Sequence, residues 1–219
     1  MQEILDFLSE LSRNNNKPWF DGHKPQYLEV KAKFDTLAMD FMRGGEQFYR
    51  RVHDLKLSDI TYRIYRDVRF SADKRPYKWH MGVYACPQGK NSGMAGYYIH
   101  LEPATESYFL CGGLYNPDKE VLKSVREEIM CNPERFHNAL QQCPDFQLPW
   151  DSALKKVPKD FSGDDPHAEY YRLKSYEVYK HLSRRDVLEE DFLASALADL
   201  ERTQPFNELL NQCVDYTRK

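Results

Sequence analysis

Trp79-His-Met-Gly-Val-Tyr-Ala85, Tyr97-Tyr-Ile-His-Leu101 and Tyr108-Phe-Leu-Cys111 are three short runs dense in aromatic and β-branched residues. Side chains of that kind fit a pleated, half-buried surface. The links between them, Pro87 to Gly96 and Pro103 to Thr105, contain Pro or Gly and are short enough to join neighbouring antiparallel strands. Upstream, Ile60 to Phe70 has the same texture and reaches Trp79 through the turn Asp73 to Pro76. The pattern predicts an antiparallel meander over about residues 60–113.

On either side the period becomes helical. Ile4, Leu5, Leu8 and Leu11 share one helix face, and Asn14, Asn15 and Asn16 before Lys17-Pro18 stop it. Trp19 and Phe20 follow as an anchor. A longer helix opens at Pro25, whose missing N–H has no partner there in any case. Tyr27, Val30, Phe34, Leu37 and Phe41 form its stripe, and Gly44-Gly45 is expected to break it, with Phe48 and Val52 able to continue a short helical turn. Helices are predicted again over Pro117 to Ile129 and Pro133 to Leu140, each with Asn before its Pro as cap. Residues 143–167 read as an irregular arm punctuated by Pro144, Pro149, Pro158 and Pro166, with Phe146, Leu148, Trp150 and Phe161 to pack it on the body. A strand over Lys174 to Leu182 then precedes two closing helices. The expectation is a single α+β domain over residues 1–219, its sheet mainly antiparallel and packed with N- and C-terminal helices.

The 219 residues are 41% hydrophobic and 30% charged, the balance of a chain that buries a core in water. A net charge of −3 gives no global attraction to nucleic acid or anionic membrane, so anion binding would need a local concentration of Lys and Arg. Cys86, Cys111, Cys131, Cys143 and Cys213 are odd in number, far apart and without a C-x-x-C pair, which fits reduced thiols in a cytoplasm. The acidic start Met1-Gln-Glu-Ile-Leu-Asp is unlike a signal peptide, and no apolar run approaches membrane-spanning length.

The stretch Arg63-Ile-Tyr-Arg-Asp-Val-Arg-Phe-Ser-Ala-Asp-Lys-Arg-Pro-Tyr-Lys78 resembles the signature of the uncharacterised DUF2461 family. The resemblance extends through Phe7-Leu8, Asn14-Asn15, Trp19-Phe20, Gly96-Tyr-Tyr-Ile-His-Leu-Glu102, Gly112-Gly113-Leu-Tyr and the segment Pro166 to Lys174. It implies a common fold over nearly the whole chain and supplies no reaction or substrate.

The same stretch concentrates charge. Arg63, Arg66, Arg69, Lys74, Arg75 and Lys78 face only Asp67 and Asp73, a local excess of four positive charges. If residues 61–70 form a strand, Arg63, Tyr65, Asp67 and Arg69 share one face, and Tyr62, Ile64, Arg66, Val68 and Phe70 the other. Arg66 then lies among apolar side chains, and burial of an unpaired guanidinium is costly, so it requires a carboxylate or bound anion. Two arginines flanking Asp67 form an oxyanion clamp on the other face, with Lys74 and Lys78 as added point charges. The expected ligand-binding residues are Arg63, Arg66, Asp67, Arg69, Lys74 and Lys78. The plainer account makes the same charges internal salt bridges that tie the segment to its neighbours.

Other groups carry weaker signals. His80, Tyr98, His100 and Glu102 share a face if the strands at 79–85 and 97–102 pair, and His100 or Tyr77 could transfer a proton; a wet polar sheet face is the plainer reading. The seven histidines are dispersed without compact metal spacing, so no metal is expected. Gly89, Gly93 and Gly96 lack the dinucleotide fingerprint, and no cofactor is implied. Cys111 reads as a small core hydrophobe, and Gly112-Gly113 as a bulge or close approach. The tyrosines Tyr62, Tyr65, Tyr77, Tyr84, Tyr97 and Tyr98 could stack bases, although sheet packing explains them as well. Three functions follow: a cytoplasmic protein binding a small phosphate or carboxylate ligand, with or without catalysis; a nucleic-acid or protein-binding module using the same cations; or a motif that is scaffold alone.

Overall fold

The computed structural model describes residues 1–218. Its sheet is a four-stranded antiparallel meander in the order β1 (Met81–Ala85), β2 (Gly96–Glu102), β3 (Ser107–Leu114) and β4 (Tyr176–Leu182). The expected α+β class and strand positions hold from residue 81 onward. Strand alternation directs Val83, Tyr97, Ile99, Leu101, Tyr108, Leu110, Tyr176 and Val178 to one face, where all are buried.

Helices cover that face. They are α1 (Gln2–Arg13), α2 (Lys17–Gly22), α3 (Lys24–Phe48) and α4 (Leu57–Ile60) before the sheet. After β3 come α5 (Lys119–Cys131), α6 (Pro133–Gln141) and α7 (Ala168–Tyr171). After β4 come α8 (Arg184–Leu188), α9 (Phe192–Glu201) and α10 (Gln204–Thr217). Helices α1, α3, α9 and α10 lie against the strands and share one core with them. Among the described residues no helix is long and apolar enough to cross a membrane.

Three local expectations are corrected. Helix α3 does not end at Gly44-Gly45, because Gly44 is where α9 closes in: a Cβ there would lie 2.2 Å from Leu197 Cδ1. The helix after Pro117 is capped by Asp118, whose carboxylate accepts from the Val121 N–H at 2.9 Å, and not by Asn116. Residues 60–70 form no strand.

Instead, the segment touches β1 only through the bridge Thr61–Val83 and folds back on itself through Tyr65–Tyr77. The N–H of Arg66 donates to Pro76 O at 2.9 Å, and that of Lys78 to Ile64 O at 2.8 Å. The predicted alternation fails with the strand, for Ile64 is buried while Phe70 is 97% exposed. The proline-rich arm packs through Phe146, Leu148 and Phe161, whereas Trp150, expected to join them, is exposed. Phe146 is buried, and Gln147 exchanges two backbone hydrogen bonds with Tyr179, so the arm runs along β4.

One polar device positions the loop between β1 and β2. Asn211, fully buried on α10, accepts from Ala95 N at 2.8 Å and donates to Ala95 O at 3.0 Å and to Tyr49 Oη at 2.7 Å. Asn207, one turn earlier, donates to Gly96 O at 3.1 Å. Side-chain amides here take the place of strand partners for a backbone that leaves the sheet.

Candidate functional site

Among the described residues, no α-helix residue lines the cavities on the second face of the sheet. Alternation places Tyr84 of β1, Tyr98 and His100 of β2, Phe109 and Cys111 of β3, and Glu177 and Tyr179 of β4 on this face. The register sets Tyr84 opposite Tyr98, Tyr98 opposite Cys111, and Cys111 opposite Tyr179. These side chains surround a cavity of about 360 Å³, closed at the sides by Tyr62, Lys90, Met94 and Tyr115. A volume near 360 Å³ with mainly aromatic walls is ordinary for a small-molecule site.

Two polar groups interrupt the aromatic lining. At the β3–β4 end Glu177 is 5% exposed, and burial holds its carboxyl above the usual range, so it keeps its proton to higher pH than a surface glutamate. The Cys111 thiol donates to its Oε2 at 3.7 Å. Burial and the adjacent carboxylate push that thiol well above its ordinary value, which makes Cys111 a poor nucleophile and a credible packing partner for an acid.

At the other end lies the group that the sequence placed on one face conditionally. His100 Nδ1 meets Tyr98 Oη at 2.9 Å, and its Nε2 meets Glu102 Oε2 at 3.2 Å. The ring stacks on Phe109 at 4.6 Å and 13°. His80, just before β1, has its ring centroid 5.0 Å from that of His100. Burial, with the neighbouring His100, pulls His80 down to about 4 from 6.5, and burial lowers His100 as well. The unfolded state therefore binds more protons as pH falls through the interval from 6.5 to about 4, and stability should drop across that window. Urea midpoints measured from neutral pH downward should fall more steeply for the natural protein than for His80→Gln; parallel profiles would show that His80 does not titrate in this way.

The predicted anion residues separate into two sets. Arg66 is partly buried, with its side chain 21% exposed, and is already paired: Nη1 lies 2.8 Å from Asp73 Oδ2 and donates to Arg75 O at 2.9 Å. Arg75 forks onto the same Asp73 and lies over Trp79, 3.9 Å from its ring centroid. These cations hold the Asp73 carboxyl well below the usual range. Arg69 pairs with Asp67 through Nε at 2.9 Å and Nη2 at 2.6 Å, and Lys74 donates to Val68 O at 3.0 Å. Arg66, Asp67, Arg69 and Lys74 thus find partners within their own loop. Tyr77 is buried and stacked on Phe20 at 4.0 Å and is not among the residues lining the cavity.

Arg63 and Lys78 differ, since neither has a carboxylate partner among the described residues. Lys78 Nζ lies 5.2 Å from the centre of the Tyr62 ring, and Lys90 Nζ lies 5.6 Å from the same ring. Burial, then Arg63 and Lys90, lower the Lys78 pKa, the response of an ammonium that lacks a counterion. Tyr62 and Lys90 line the cavity, and Lys78 and Arg63 line a smaller cleft that shares Tyr62 with it. Sequence reading missed Lys90 and Glu177. The signal for Glu177 was its place at period two with Tyr179 and His181, on the strand face opposite Tyr176 and Val178.

Arg66→Met should be tolerated better than Arg66→Ala by about 1 kcal/mol, because Met keeps apolar volume on the Trp79 ring while Asp73 retains Arg75. Equal urea midpoints for the two variants would show that the aliphatic stem contributes nothing.

The family model described as "Conserved hypothetical protein (DUF2461)" matches residues 3–209 of the chain. No curated protein and no solved structure matches it.

Proposed function

Because the chain belongs to the DUF2461 family, whose description carries no reaction, we propose a function from the site: it binds a small organic anion, planar body inward, on the open face of the sheet. The observation that carries this reading is the aromatic cavity of about 360 Å³ with uncompensated cations at the Tyr62 rim. Aromatic walls take the ring of such a ligand, and its carboxylate or phosphate meets Lys78, Lys90 and Arg63. Arg66, Arg69 and Lys74 contribute indirectly by fixing the loop that carries Arg63. Glu177 and His100 supply an acid and a base within one lining, which suits proton-transfer chemistry on the bound ligand. A cytoplasmic setting fits the five free thiols.

The test is a thermal-shift series with benzoate, phenyl phosphate and inorganic phosphate at constant ionic strength, since a ligand that binds the folded state raises the melting temperature by mass action. The natural protein should show a saturable rise with phenyl phosphate, smaller with inorganic phosphate, and absent in a Lys78→Met, Lys90→Met double variant. Equal responses of the two proteins would overturn the assignment.

One observation favours a second reading, in which the loop binds a nucleic acid or a protein. Phe70 stands 97% exposed beside the Arg69 guanidinium. That reading predicts affinity for single-stranded nucleic acid that falls steeply with salt and is lost in Phe70→Ala.

A further inference from the structure

We propose that His80, His100 and Glu102 form a binding site for a divalent transition-metal ion of the zinc type, at the end of the open sheet face where His100 enters the cavity lining. One donor atom from each residue lies within 4.8 Å of the other two. Bonds of about 2.1 Å in tetrahedral geometry place ligand atoms roughly 3.4 Å apart. The distances from Glu102 Oε2, 3.2 Å to His100 Nε2 and 3.7 Å to His80 Nδ1, bracket that spacing. The longer one is beyond a hydrogen bond, so hydrogen bonding to Glu102 does not account for the placing of His80.

The surroundings are arranged as outer support for such ligands. Glu102 Oε1 accepts from Trp79 Nε1 at 3.1 Å and from Thr105 Oγ1 at 2.9 Å, which orients the carboxylate and leaves Oε2 to face both imidazoles. Tyr98 Oη holds His100 through Nδ1, the nitrogen away from the site, as an outer partner does for a metal-bound histidine. Three protein ligands leave a coordination position for water or a ligand atom, the open arrangement of a site that activates and not merely holds. Lys78 and Arg66 face His80 and oppose a cation there, although Asp73 already neutralises Arg66.

In the sequence these residues share a face only once β1 and β2 are paired, and their spacing along the chain matches no compact metal motif. The inference stands independently of the anion proposal, since the probe is the metal alone.

The full-length protein, stripped with chelator and kept reduced, is titrated calorimetrically with Zn²⁺, and its complex with Co²⁺ is followed by visible absorption. The expected result is one ion per chain, with affinity lowered at least tenfold in Glu102→Gln and His80→Gln, lowered less in Tyr98→Phe, and unchanged in Cys131→Ser. Of the seven histidines, only the His80 and His100 ring resonances should respond to Zn²⁺ at one equivalent, a readout that needs no variant. Absence of saturable binding, a thiolate charge-transfer band with Co²⁺, or ring shifts confined to other histidines would overturn the proposal.

Discussion

Gly113→Ala should lower the melting temperature by roughly 10 °C, a loss of about 3 kcal/mol in a protein of this size. Gly113 has φ +135, a region essentially closed to side chains, and a Cβ there would lie 2.4 Å from both Tyr176 O and Glu177 Cα. Those are backbone atoms of β4, paired opposite Gly113, so no rotamer change relieves the contact. Relief requires prising β4 from β3 at the point where Glu177 enters the cavity. Thermal unfolding measures the stability loss. A mutant within 1 °C of the natural protein would show that the β3–β4 register is not as described.

Asn211→Ala should cost about 3–5 kcal/mol, because it leaves the N–H and C=O of Ala95 and the Tyr49 hydroxyl without partners in a dry core and opens a cavity beside them. Tyr49→Phe removes only one of those hydrogen bonds and should cost about 1 kcal/mol. The pair of urea midpoints is the check, and equal losses would mean that the backbone bonds to Ala95 contribute little. The effect also reaches the site. Ala95 follows Met94, a wall of the cavity, so a loosened loop lowers ligand affinity as well as stability.

The meander was legible where alternation and burial agree, as in Tyr97 to Leu101, whose alternate side chains enter the core and the cavity. It was not legible in residues 61–70. There a period-two pattern arises from charges whose partners are local, Asp67 within the segment for Arg69 and Asp73 in the following turn for Arg66 and Arg75. Solvated local pairs satisfy these side chains without a strand. Arg66 has its expected carboxylate in Asp73, although the strand register from which that need was argued does not form. The break expected at Gly44-Gly45 did not occur for a related reason: a glycine can also mark close approach, and here the position of Leu197 requires one. His80, Tyr98, His100 and Glu102 were visible as a face once pairing was assumed. Glu177 was not, because its place opposite Gly113 depends on a strand returning from more than 60 residues downstream.

The central claim is that the ligand enters the open face of the sheet and not the arginine loop. Amide NMR of the ¹⁵N-labelled protein during a phenyl phosphate titration tests it most directly. The predicted result is saturable shifts at Tyr98, Cys111 and Glu177, together with Tyr62 and Lys90 at the rim. Shifts confined to residues 66–75, with those five amides unmoved, would contradict it.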